Sequence, residues 1–137
     1  MSESNPAEDL SLLGRSEQGL PASPDEARLE TFPNRNSHRD YSIELDYPEF
    51  SSLCPVTGQP DSAQLTISYV PDQVCVETKS LKFYLASFRN APFFNEDVVN
   101  RILDDLAAIC KPRTMTVRGQ FSPRGGIRLT AEATYPD

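Results

Sequence analysis

Two side chains in the middle of the chain, Cys54 and Asp61, are of the types that covalent chemistry at an electrophilic carbon requires. A cysteine thiolate can add to carbon, and a carboxylic acid can supply the proton that the addition needs. Pro55, Gly58 and Pro60 lie between them. Because proline and glycine interrupt helices and central strands and favour turns, we expect a tight turn that brings the two side chains together.

Length and composition predict one domain with a tail. The chain has 137 residues, of which 38% are hydrophobic. Residues 1–35 are rich in Ser, Pro, Glu and Asp and show no apolar period, which predicts a disordered or loosely docked acidic tail. The domain itself is expected at 36–137. We expect no signal peptide and no membrane span, because no suitable apolar run is present.

Charge and cysteine content exclude several classes of function. A net charge of -7 disfavours general binding to nucleic acid backbones. Three cysteines without a CxxC pair and a single histidine, His38, supply neither a disulfide framework nor a Cys/His metal site, so no metal is expected. Cys75 and Cys110 lie in apolar patterns and are predicted to be structural. A free catalytic thiol favours the cytoplasm.

Alternating apolar and polar side chains predict four strands. They lie at 41–47, 65–69, 114–121 and 127–134. We expect Pro48 to end the first strand, because proline cannot donate to a sheet ladder. The turn at 122–126 is expected to join the last two strands as a hairpin.

Apolar residues at helical spacing predict two helices between the strand pairs. The first covers Ser80–Phe88, and the second runs from Asn95 to Cys110, with Asn95 expected as the N-cap. The order ββααββ predicts an α+β fold: a four-stranded antiparallel sheet with two helices on one face. Such a sheet leaves two edges and one uncovered face, so we expect subunits to assemble edge to edge.

Four segments of the chain, in this order, carry a resemblance to a known family. They are 52–61, 77–84, 87–90 and 123–127. The chain resembles the short form of the nitrile reductases that convert 7-cyano-7-deazaguanine to 7-aminomethyl-7-deazaguanine in queuosine biosynthesis, a tRNA modification pathway. The second segment resembles the family's nicotinamide-cofactor signature, with Thr78 where Ser or Leu is usual. The resemblance implies the tunnelling fold, homo-oligomeric rings that often pair into decamers, and active sites between subunits.

The resemblance also implies a reaction. Cys54 would add to the nitrile carbon and form a thioimide, which accepts hydride more readily than the nitrile does. Asp61 would donate the proton to nitrogen. NADPH would be the co-substrate that supplies hydride.

Binding roles follow from the same resemblance. Glu77 would anchor the deazaguanine, since a carboxylate accepts hydrogen bonds from guanine-like N–H groups, and Val76 and Thr78 would add backbone groups. Lys79 and Lys82 would hold NADPH phosphates, although the polar face of a helix explains them equally well.

Further contacts are expected from the hairpin and from the start of the second helix. Arg124 would add a phosphate or subunit contact, and the Gly-Gly turn beside it is also explained by a simple hairpin. Asn95 and Glu96 would contact the substrate. The family has histidine where this chain has Asn95, and asparagine cannot exchange a proton near pH 7. We therefore expect Asn95 to position substrate or nicotinamide while Asp61 and water carry protons.

Three alternatives remain at the level of sequence. A related amidinotransferase also forms a thioimide but lacks the cofactor signature, which this chain has at 77–84. A pterin-type cyclohydrolase needs zinc and histidine ligands that the composition does not supply. A deazapurine-binding protein without turnover is favoured only by Asn95.

Overall fold

A four-stranded antiparallel sheet with two helices packed on one face dominates residues 20–137, the part that the computed structural model describes. The strands are β1 (Thr31–Pro33), β2 (Ile43–Leu53), β3 (Pro60–Val70), β4 (Val74–Val76), β5 (Thr114–Phe121) and β6 (Thr130–Tyr135). The helices are α1 (Thr78–Ala86) and α2 (Asn95–Cys110), with 3₁₀ turns at Pro24–Glu26 and Ser87–Asn90. The sheet order β2-β3-β5-β6 confirms the predicted ββααββ arrangement.

The two strands that carry the candidate catalytic residues are longer than predicted. β2 continues past Pro48, and its register with β3 shifts between Tyr47 and Phe50. The prediction that Pro48 ends this strand is wrong. β2 is an edge strand, where a proline at a bulge removes no ladder bond that the sheet needs. The strands β2 and β3 therefore run together up to the Cys54 turn, which we define as residues 54–59.

The apolar stripe predicted for α2 is buried against the sheet. Val99, Ile102 and Leu106 are at most 1% exposed, and all belong to one core cluster with residues of β3 and β5. Gly119 in β5 allows α2 to approach closely, because a Cβ there would lie 3.0 Å from Val99 Cγ1. α2 and the sheet thus form a packed core of the kind that holds neighbouring loops in place.

The start of α2 differs from the prediction by one residue. Phe94 is the N-cap, in extended conformation, and Asn95 is the first helical residue, so the assignment of Asn95 as N-cap is wrong. The reason is tertiary. The Phe93 N–H donates to the Leu53 carbonyl at 3.2 Å, which holds the chain extended until Phe94.

Ordered structure begins ahead of residue 36, the predicted start of the domain. β1 pairs antiparallel with β4 as a second, two-stranded sheet. Asp25 forms an ion pair with Arg101 on α2 at 2.7 Å, and Arg89 donates to the Pro21 carbonyl at 3.0 Å. Residues 1–19 of the predicted tail lie outside the described residues. Neither helix in 20–137 is long and apolar enough to cross a membrane.

Candidate active site

The Cys54 turn closes the β2–β3 hairpin and is held by its own backbone. The Cys54 N–H donates to the Gln59 carbonyl, and the Gly58 N–H donates to the Cys54 carbonyl, both at 2.8 Å. Gly58 has a φ of 74°, which glycine adopts without strain. The turn that Pro55, Gly58 and Pro60 predicted is therefore formed.

β2 and β3 place the candidate acid close to the candidate nucleophile. Asp61 is the direct cross-strand partner of Ser52, and such partners project from the same face of a sheet. Cys54 lies two residues beyond Ser52, and its N–H donates to the Gln59 carbonyl, two residues before Asp61, so the two side chains flank one closed turn. The structure thus brings together the pair that the sequence singled out.

The turn nevertheless favours the Cys54 thiolate. A hydrogen bond from the Thr57 hydroxyl lowers the pKa of the Cys54 thiol, and the backbone N–H groups of Thr57 and Val56 lower it further. These effects outweigh burial and the charge of Asp61, which act in the opposite direction. Thr57 was not among the predicted site residues. The signal that could have identified it is a hydroxyl residue between the cysteine and the glycine of a turn.

The other two cysteines do not share this environment. Cys75 and Cys110 are buried, 4% and 2% exposed, in accord with the predicted structural roles. Burial raises the pKa of Cys110 to about 11, so its thiol is a poor nucleophile near neutral pH.

Arg124 reaches the catalytic turn from the hairpin between β5 and β6. Arg124 Nε lies 2.7 Å from Asp61 Oδ1, and the Asp61 side chain is only 11% exposed. The same guanidinium donates to Gln59 Oε1 at 2.9 Å and to the Pro60 carbonyl at 2.7 Å. The structure therefore pairs Arg124, the predicted phosphate contact, with Asp61, the predicted proton donor.

The hairpin holds Arg124 through a two-residue turn. Arg124 and Ile127 exchange two backbone hydrogen bonds of 2.9 Å. Gly125 and Gly126 between them have φ of 57° and 84°, as two-residue hairpin turns demand. The hairpin predicted for the Gly-Gly segment is confirmed, and the phosphate contact of Arg124 stays a prediction.

Asp61 and Arg124 border an open cleft of about 460 Å³. The other residues that line it are Gln59, Pro60, Ser62, Ser122 and Pro123. The Ser62 and Ser122 hydroxyls are hydrogen-bonded at 2.8 Å, which ties β3 to the hairpin. Cys54 is not among the residues that line this cleft, whereas Asp61 is.

The start of α2 is attached to the same turn. The Leu53 N–H donates to the Ala91 carbonyl at 3.0 Å, and the Leu53 carbonyl accepts from Phe93. This bridge joins the segment just before Asn95 and Glu96 to the residue that precedes the turn, and their contact with substrate stays a prediction. Glu96 is exposed and carries the negative charge of the first helical turn.

Two buried polar atoms beside this bridge have no hydrogen-bond partner within residues 20–137. They are Asn95 Oδ1 and Ser52 Oγ, and Ser52 is fully buried. Buried polar atoms are rarely left unpaired, so an unpaired acceptor at the start of α2 indicates a place for a ligand's donor. Ser52 had no predicted role, and only its burial in the folded chain reveals it.

Glu77 occupies the N-cap of α1. Its Oε1 accepts from the Ser80 N–H at 2.7 Å and its Oε2 from the Lys79 N–H at 3.0 Å. Each carboxylate oxygen keeps a second lone pair that a ligand N–H can use. The N–H of the flanking Val76 is already used, because it donates to the Tyr69 hydroxyl at 2.9 Å. Thr78, on the other side of Glu77, is exposed.

Lys79 and Lys82 project from the same side of the first turns of α1, at spacing i, i+3. Lys79 is half-buried and Lys82 is exposed. Two ammonium groups beside a helix N-terminus suit an anionic phosphate, so these residues fit a dinucleotide phosphate. Within 20–137, no hydrogen bond or ion pair links Glu77, Lys79 or Lys82 to the Cys54 turn.

Solved structures identify the class of fold. The crystal structure of the archaeosine synthase QueF-Like in the apo form superposes with a TM-score of 0.64, covering 68% of this chain and 91% of that chain. At 20% identity the likeness concerns the fold alone, which is the tunnelling fold.

Sequence comparisons identify the family. The model of the QueF-like protein family matches residues 60–137. A relative from Nitrosococcus oceani is 53% identical over 116 residues, 85% of this chain and 89% of the relative. Another from Syntrophus aciditrophicus is 50% identical over 138 residues, 98% and 94% of the two chains. Both are named NADPH-dependent 7-cyano-7-deazaguanine reductase. The chain therefore belongs to the QueF-like family.

Proposed function

We propose that this chain reduces the nitrile of 7-cyano-7-deazaguanine to an aminomethyl group, with NADPH as co-substrate, in queuosine biosynthesis. The observation that carries the proposal is a cysteine with a lowered thiol pKa beside a carboxyl group, in a chain whose relatives are named for this reaction. Because the reaction starts from a free thiolate, we propose the cytoplasm as its compartment.

In the first step Cys54 adds to the substrate. The thiolate forms a bond to the nitrile carbon, one π bond of the C≡N group breaks, and the nitrogen takes a proton from Asp61. The product is a thioimide, and the step involves no oxidation or reduction. Reduction to the amine takes two hydrides, one from each of two NADPH molecules. The first hydride would add to the thioimide carbon while the nitrogen takes a second proton, and the C–S bond would then break, which returns the Cys54 thiolate and leaves an iminium. The second hydride would reduce that iminium to the amine, with Asp61 and water as the proton sources.

Substrate recognition is assigned to residues around the two helix starts. Glu77 accepts hydrogen bonds from the guanine-like edge through its free lone pairs, flanked by Val76 and Thr78. Val76 contributes its carbonyl, since its N–H is used. The unpaired Asn95 Oδ1 accepts a hydrogen bond from the N–H of the former nitrile nitrogen, once the substrate is bound to Cys54. Glu96 adds a second carboxylate to the substrate site.

Phosphate contacts are assigned to Lys79, Lys82 and Arg124. The first two combine their charges with the N-terminus of α1. Arg124 borders the cleft next to Asp61 and keeps two of its five N–H groups free for an anion.

We further propose that a second copy of the chain completes the site. β2 and β6 are the edges of the main sheet. Val56 in the Cys54 turn, Phe94 before α2 and Ile127 in the hairpin are 78%, 53% and 73% exposed. Exposed apolar side chains around one site are typical of a surface that a partner covers. Edge-to-edge assembly into a ring would also bring the α1 start of one copy toward the Cys54 turn of another. Light scattering should report a multiple of the 15.3 kDa subunit, and an active monomer would contradict this assembly.

One experiment tests the reaction. The protein is mixed with 7-cyano-7-deazaguanine alone, and intact mass and peptide mapping are used to find an adduct on Cys54. NADPH is then added and its oxidation followed. We expect an adduct that disappears as NADPH is consumed. An adduct without NADPH oxidation would point to an amidinotransferase or a binding protein, and no adduct would exclude the covalent mechanism.

A further inference from the structure

Arg124 and Asp61 have proposed roles that conflict in the structure. A guanidinium partner stabilises the carboxylate anion, and an anion has no proton to donate. Yet Asp61 has to protonate the substrate nitrogen, and its carboxyl lies 2.7 Å from Arg124 Nε. The protein therefore needs an event that weakens this ion pair before or during proton transfer.

Within residues 20–137, two ionisable side chains interact with Asp61: Arg124 from the hairpin and Cys54 from the turn. A Cys54 thiolate adds negative charge next to Asp61 and favours the protonated carboxyl. Arg124 opposes this for as long as it remains paired with Asp61.

Arg124 and Asp61 both border the cleft, but Arg124 is the more accessible of the two. The Arg124 side chain is 39% exposed and the Asp61 side chain 11%. An anion in the cleft is attracted to the more exposed guanidinium. If Arg124 turns to that anion, Asp61 loses its cation. If Arg124 stays, the anion's charge comes to lie beside the carboxylate. Both outcomes favour protonation of Asp61.

We propose, on the basis of the proposed function, that Arg124 couples binding of the dinucleotide phosphates to the proton transfer from Asp61. In the absence of the phosphates the ion pair keeps Asp61 as a carboxylate and slows thioimide formation. Phosphates at Arg124 release Asp61 to take up a proton from solvent and pass it to the nitrile nitrogen. Arg124 is thus a positioning residue for the acid as well as a phosphate contact.

The test measures thioimide formation without turnover. Rapid-quench intact mass follows the adduct of 7-cyano-7-deazaguanine on Cys54, with and without saturating NADP⁺, which cannot donate hydride. For the unmodified protein we expect NADP⁺ to accelerate the adduct roughly five-fold, the effect of losing one favourable ion pair. For Arg124→Gln we expect a basal rate already at that level and no further response to NADP⁺.

Two variants control for unrelated effects. Arg124→Lys keeps the charge but not the forked geometry, and should show an intermediate basal rate with a partial response to NADP⁺. Arg118→Gln removes an exposed arginine whose partner is Glu132 on β6, and should behave like the unmodified protein. A thermal melt and an NADP⁺ titration of each variant identify misfolding or unsaturated binding.

The outcomes separate this inference from the proposed function. Adduct formation that does not respond to NADP⁺, or a basal rate that falls in Arg124→Gln, overturns the coupling and leaves the reductase assignment intact. The absence of a Cys54 adduct in both the unmodified protein and Arg124→Gln, with or without NADP⁺, overturns the proposed function itself.

Discussion

The Cys54 turn and the start of α1 each hold one carboxylate, but they hold it in different ways. Asp61 pairs with the guanidinium of Arg124, a side chain that is partly exposed and comes from a separate hairpin. Glu77 accepts from the backbone N–H groups of Lys79 and Ser80, which the helix holds in position. A movable partner suits a group that gains and loses a proton. Fixed partners suit a permanent anion that anchors a ligand.

The largest expected effect comes from removing the nucleophile of the turn. Cys54→Ala should abolish the adduct and lower kcat/KM at least about 10³-fold, because no other thiol is in a position to attack. Cys110→Ala should retain the adduct, since that thiol is buried in the core. Intact mass with peptide mapping reads out both. An adduct on Cys75 or Cys110 in Cys54→Ala would show that the turn is not the reactive site.

Replacing Asp61, the acid of the turn, should have the second largest effect. Asp61→Asn keeps the size of the side chain but has no proton of suitable acidity, so thioimide formation at saturating nitrile should slow by about 10²–10³-fold. Binding of the nitrile should change little. Quench-flow measurement over a range of nitrile concentrations separates the maximum rate of thioimide formation from the affinity for the nitrile. An unchanged maximum rate would remove Asp61 from the proton path.

Replacing Glu77, the substrate anchor at the start of α1, should change the affinity for the nitrile and not the maximum rate of adduct formation. Glu77→Gln retains an oxygen for the N-cap but loses the negative charge, so we expect nitrile affinity to fall roughly 10-fold, as for a charged hydrogen bond. The maximum rate of adduct formation should stay within about two-fold of the unmodified protein. A loss confined to the maximum rate would mean that Glu77 acts in chemistry and that the contrast between the two carboxylates is wrong.

The smallest expected effect concerns the thiol itself. Thr57→Val removes the hydroxyl that contributes most to lowering the pKa of Cys54. The thiolate then forms at higher pH, so the rise of the alkylation rate with pH should move to higher pH. Thr57→Ser retains a hydroxyl and should keep the original profile. Iodoacetamide labelling of Cys54 measures the shift, and a profile that does not move would assign the lowered pKa to the backbone N–H groups alone.

Local patterns predicted the elements whose stability is local or periodic. β5 has the predicted bounds, Thr114–Phe121, and the apolar stripe of α2 is buried as its period required. The turn after Cys54 was predictable as well, because proline and glycine restrict the backbone by themselves. Pro48 was misjudged because its tolerance depends on the strand being an edge, which the local sequence does not show.

The pairing of β1 with β4 was missed for a similar reason. β1 has only three residues, and each gains its backbone partners from a strand more than forty positions away. Neither strand would be stable alone. The ion pair of Asp25 with Arg101 belongs to the same group of long-range contacts.

The sequence by itself determined the residue types for the chemistry, the turn that carries Cys54, and the order of strands and helices, because these depend on side-chain chemistry and short-range backbone preferences. The tertiary structure alone decided which partner each functional group received. Arg124 was assigned to phosphate, and folding brought it to Asp61 across two hairpins. Thr57 lowers the pKa of Cys54, and Asn95 retains an unpaired oxygen beside the turn. Such pairings depend on distances between groups that are remote in the chain, and only the packed sheet and helices set those distances.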